Sequence, residues 1–124
     1  MRFAKIVFRI AGIWGVLIIA PLYFIFDTIG RRDPPPITHP GFFYGFAGLA
    51  LAWQFAFLFI ATDPVRYRPL MLPSMFEKFS YGIAIIVLVL QGRTRSSDLV
   101  FAATDLLLGI LFVLVYLKTP RTAT

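Results

Sequence analysis

Two carboxylates, Glu77 and Asp105, stand inside long apolar stretches, and they are the residues of this chain best placed to do chemistry. Glu77 is followed by Lys78 within Met75-Phe76-Glu77-Lys78-Phe79, in an apolar run that opens near Leu70. At 1.5 Å per residue, Glu77 lies roughly 10 Å along a helix that starts there. Asp105 sits in Ala102-Ala103-Thr104-Asp105-Leu106-Leu107, roughly 10–12 Å from the nearer end of its own run. Ionisable groups at such depth in a membrane are costly; they face the bundle interior or a watery cavity, where they relay protons or hold a substrate. Aspartate is too short to reach the interface, so Asp105 must find a partner on another helix or take up a proton.

Register suggests the partners. Gln54 reaches a depth similar to that of Glu77 in a different run, and Arg9 enters from the same end. Arg9, Gln54, Glu77 and Lys78 therefore form a candidate intramembrane polar cluster. Tyr81, one helical turn beyond Glu77, matches the depth of Asp105 and is its candidate donor, with Ser80 second. A structural reading stands beside each chemical one. A helix beginning only near Phe79 would leave Glu77 at the interface and let Lys78 extend its ammonium to water. An Asp105–Tyr81 pair would then be an interhelical hydrogen bond worth well under ~2 kcal/mol.

A third pattern concerns packing. Gly41, Gly45, Gly48, Ala52 and Ala56 recur at intervals of three or four, which places them on one helical face. Small residues let helix backbones approach where lipid removes any hydrophobic drive between helices. That face serves packing inside the bundle or contact with another subunit. A shorter strip, Ala11, Gly12 and Gly15, occurs earlier in the chain.

The elements that must carry these residues follow from composition. Of 124 residues, 59% are hydrophobic and 15% charged, and mean hydropathy is +0.81. A soluble domain is nearer 45–50% apolar and about 25% charged, and one this small could not bury the excess. Lipid can. Backbone in lipid must satisfy its own hydrogen bonds, so the runs are helices. Spans are expected at about 10–26, 42–61, 70–90 and 99–117, each near the ~20 residues a bilayer requires. The expected fold is all-α, one membrane domain over residues 1–124, an antiparallel bundle of four transmembrane helices joined by short connections.

The formal net charge of +6 serves topology and anionic lipid headgroups rather than nucleic acid, because Lys and Arg lie almost wholly outside the runs. One side carries Arg2, Lys5, Arg9, Arg66, Arg68, Lys78, Lys118 and Arg121; the other carries Arg31, Arg32, Arg93 and Arg95. By the positive-inside rule both termini are cytoplasmic, as in a multi-pass protein of a bacterial inner membrane. Arg2, Lys5 and Arg9 before an apolar core resemble a secretory signal, but the run continues through Pro21-Leu22-Tyr23-Phe24 without a small-residue cleavage pattern, and it is expected to be a retained span.

The remaining signals are structural. With no cysteine, disulfides and thiolate chemistry are out. The single histidine, His39, lies in the proline-rich connection Asp33-Pro34-Pro35-Pro36-Ile37-Thr38-His39-Pro40; no metal site is expected there. Successive prolines favour a stiff extended arm, which would dock a partner or set where the second span starts. Asp63-Pro64 closes that span as a turn, and Arg66 and Arg68 after it would hold lipid phosphate. Aromatics make up 17% of the chain; many mark span ends. Phe55, Phe57 and Phe59 would face lipid or core, and would equally line a quinone or pigment site.

With Arg9-Ile10-Ala11-Gly12 opening the first span and Asp63-Pro64-Val65-Arg66-Tyr67-Arg68-Pro69-Leu70 leading to Glu77-Lys78, the chain resembles small uncharacterised bacterial four-helix membrane proteins over most of its length. In general layout it is also similar to DoxX-like proteins, which would imply a quinone-linked role by analogy. Small multidrug transporters resemble it less, since they carry a glutamate in the first span and no acidic residue precedes Asp27 here. The chain has no catalytic constellation. The expected function is a non-catalytic structural or accessory subunit of a membrane complex. The alternatives are a small proton-coupled carrier using Glu77 and Asp105, and a binder of quinone, lipid or pigment.

Overall fold

The computed structural model describes residues 2–121. Five α-helices, and no strand among the described residues, make up the chain: α1 (Arg2–Ile19), α2 (Phe26–Arg32), α3 (Pro40–Thr62), α4 (Met71–Leu90) and α5 (Leu99–Lys118). With the 3-10 segments that extend them, α1, α3, α4 and α5 give four stretches of 23 residues long and apolar enough to cross a membrane. The short α2 lies in the first connection.

The first span begins earlier than its apolar run. The helix starts at Arg2, not near Ile10, because the first turns are amphipathic: Ala4, Val7, Phe8 and Ala11 turn inward while Arg2, Lys5 and Arg9 are exposed. Hydropathy averaged along the chain hides such turns, whereas the 3.6-residue period reveals them. The α4 start is equally informative. Pro73 occupies the first turn, where a missing N–H costs nothing because the first four have no intrahelical acceptor. The helix therefore runs unbroken through Glu77 and Lys78, rather than beginning near Phe79. Pro40 similarly opens α3. At the far end, the Asp63 carboxylate accepts from the Arg66 backbone N–H at 3.3 Å, which turns the chain towards α4.

The bundle is two helical hairpins. In the first, α1 lies along α3 with Gly12 against Leu58 and Gly15 against the Gln54 side chain. In the second, α4 lies along α5 with Gly82 against Leu106 and Gly109 against the Phe79 ring. The hairpins meet around three phenylalanines with no exposed surface. Phe8 stacks on Phe112 at 4.2 Å between centroids, and Phe57 meets Phe112 edge-on at 5.0 Å. Such pairs add about 0.5–1.5 kcal/mol beyond area burial. Polar clasps tie the ends. Arg68 donates to the Tyr116 carbonyl at 3.2 Å and stacks 3.7 Å over its ring, and at the other end Arg95 pairs with Asp33 at 3.1 Å.

A buried lysine between two carboxylates as the candidate functional site

Lys78 is 3% exposed, two turns into α4 and turned towards α5. Its Nζ lies 3.6 Å from Glu77 Oε2 and 3.5 Å from Asp105 Oδ1. The ammonium also sits 5.2 Å from the centroid of the Phe57 ring, close enough for a cation–π contact. One cation thus answers two carboxylates, one beside it on α4 and one across the helix interface on α5.

The glycines make this reach possible. Gly82 is one turn from Lys78 and Gly109 one turn from Asp105, so each helix carries its charged residue and its glycine on one face. In the antiparallel pair, a Cβ on Gly82 would come 2.8 Å from the Leu106 side chain, and one on Gly109 would come 2.9 Å from Phe79. Close backbone approach is what brings the short Asp105 side chain to Lys78. The register was open to sequence reasoning as two i, i+4 pairs, Lys78–Gly82 and Asp105–Gly109. Neither Gly82 nor Gly109 stood out, because neither belongs to a longer strip of small residues.

The two sequence-derived clusters are therefore one site with different membership. Gln54 is buried, donates its amide N–H to the Ala50 carbonyl at 2.7 Å, and neighbours the Glu77 carboxylate. Arg9 does not join it. It projects from the exposed side of α1, opposite Phe8 and Ala11, which face the core. Asp105 pairs with Lys78 rather than accepting a hydrogen bond from Tyr81, whose ring stacks towards Phe46 at 6.3 Å while remaining near the Asp105 carboxylate. The Ser80 hydroxyl donates to the Glu77 backbone carbonyl. Two acceptor atoms, Gln54 Oε1 and Glu77 Oε2, are buried without a hydrogen-bond donor.

The long strip of small residues also departs from internal packing. Gly41 and Gly45 have nothing within 4 Å of where a Cβ would stand, and Ala52 is exposed. Gly48 borders the Tyr23 hydroxyl, and Ala56 is half-buried. The face of α3 that packs in the bundle is instead Ala47, Ala50, Gln54, Phe57, Ile60 and Ala61. Of the aromatics in the same stretch, Phe57 is core while Phe55 and Phe59 face outward. His39 lies exposed against Phe42, and among the described residues no three His, Cys, Asp or Glu side chains gather as metal ligands would.

Comparison with protein-family models, with curated proteins and with solved structures gave no match.

Proposed function

We propose that the chain is a non-catalytic accessory subunit of a membrane assembly in a bacterial cytoplasmic membrane, with both termini on the cytoplasmic side. The observation that carries this reading is the open face of α3. Gly41, Gly45 and Ala52 stand at the surface while the bundle's own contacts use another side of the helix. A smooth helix face suits close approach by a partner's transmembrane helix. The orientation is supported by charge. With Lys78 inside α4, seven basic residues remain at the terminal end (Arg2, Lys5, Arg9, Arg66, Arg68, Lys118, Arg121) against Arg31, Arg32, Arg93 and Arg95 at the other.

The test is cross-linking in the native membrane from Gly45→Cys. A defined adduct with another membrane protein is expected, and co-purification of that protein with the wild type should be lost in a Gly45→Leu variant. Recovery of the wild-type chain alone, unaffected by Gly45→Leu, would refute the reading.

A second reading rests on the triad. Two carboxylates and one ammonium leave one negative charge to be balanced within the membrane, and a bound proton is the smallest counter-charge available. On this reading the protein is a small proton-coupled carrier. Asp105→Asn would abolish proton flux in reconstituted vesicles with the bundle intact; unchanged flux would remove it.

A further inference from the structure

At the end of the bundle opposite the termini, a cavity of about 380 Å³ opens between α2, the end of the first span and the start of α3. Its exposed lining is mainly polar, set beside a stack in which Tyr23 meets Tyr44 at 5.9 Å and Phe26 meets Tyr44 at 5.5 Å. The same cavity is lined by Asp27, Thr28 and Arg31 of α2. Asp27 and Arg31 are one helical turn apart on the same face, the spacing at which opposite charges commonly pair. Among the described residues they form no ion pair with each other; the Arg31 guanidinium instead donates to Thr28 Oγ1 at 3.4 Å. That bond leaves the Thr28 hydroxyl proton free to donate into the cavity.

We infer that this cavity binds the zwitterionic headgroup of a phospholipid, an ammonium joined to a phosphate. The ammonium pairs with Asp27, its counter-charge, beside the Tyr23–Tyr44–Phe26 stack. The phosphate meets Arg31, whose guanidinium matches phosphate geometry, and the Thr28 hydroxyl. A simple anion would leave Asp27 opposed to it, and a simple cation would meet Arg31. A ligand carrying both charges about one helical turn apart satisfies both. The place supports a lipid source: tyrosines at a span end mark the membrane–water interface, and Phe24 beside the cavity is 87% exposed on the surface that lipid would cover. The inference does not depend on the accessory-subunit reading.

The test is native mass spectrometry of the delipidated full-length protein, titrated with phosphatidylethanolamine or phosphatidylglycerol of matched acyl chains. Both carry the phosphate, but only the first carries the ammonium. The wild type is expected to prefer the ethanolamine lipid. Asp27→Asn and Tyr44→Leu should each cut that preference roughly fivefold, while Arg31→Gln weakens both lipids. Asp27 is exposed, so Asp27→Asn keeps the test decisive should Tyr44→Leu disturb folding. Equal binding of the two lipids by the wild type, or an unchanged preference in Asp27→Asn, overturns the inference. Displacement of the lipid by soluble phosphoethanolamine at equal concentration also overturns it, because the ligand would then be the free compound rather than a lipid.

Discussion

Lys78 on α4 and Asp105 on α5 lie 3.5 Å apart across the glycine-lined contact of the two helices, and Glu77 completes the group at 3.6 Å from the ammonium. The arrangement makes Lys78, not either acid, the residue on which the site depends. Lys78→Met would leave two carboxylates buried without a cation, a loss of about 3–5 kcal/mol by the usual cost of breaking a buried ion pair. Unfolding in mixed detergent should show it.

Asp105→Asn should act in the opposite sense. It removes the surplus negative charge and leaves Glu77 and Lys78 as a balanced pair, with an amide still able to accept from the ammonium. Stability equal to or above wild type is expected in the same assay. A loss comparable to that of Lys78→Met would contradict the charge balance argued here.

The glycines divide into two classes by what surrounds them. Gly15→Leu meets the Gln54 side chain and Gly82→Val meets Leu106, so each should destabilise by about 1–3 kcal/mol, the common cost of overpacking. Gly45→Ala meets nothing, and should be neutral or stabilise the isolated chain by up to about 1 kcal/mol through helix propensity. Equal losses at all three positions would contradict the packing described.

Phe57→Ala opens the core where the hairpins meet and removes the ring beneath Lys78. A loss of about 3–5 kcal/mol is expected, against little change for Phe59→Ala on the exposed side of α3. Thermal unfolding of the two variants side by side decides it.

For topology, cysteine at Thr38 should label with an impermeant thiol reagent in intact cells, while one at Thr122, which lies outside the described residues, should not. The reverse pattern would turn the molecule over.

The four spans were legible because lipid imposes one strong rule, about 20 apolar residues per helix, and the sequence obeys it in each case. The continuity of the helix through Glu77 was legible too, once Pro73 was allowed inside a first helical turn. Side-chain partners were less so. Depth along a helix is readable from residue spacing, but rotation about the helix axis relative to a neighbour is not, and rotation separates Arg9 from the cluster and brings Lys78 rather than Tyr81 into a pair with Asp105. The same ambiguity misleads for the small residues of α3: a smooth face is visible in the sequence, but which way it looks depends on Phe57 and Gln54 claiming the interior.

All three charged members of the triad belong to one hairpin, α4 and α5, whereas Gln54 arrives from the other. The second hairpin therefore carries its own counter-ions into the bilayer. Glu77 and Asp105 meet their cation wherever α4 and α5 come together, with no charge needed from α1 or α3. The joint between the hairpins is then left to the aromatic seam of Phe8, Phe57 and Phe112, with Gln54 and the Asp33–Arg95 pair beside it.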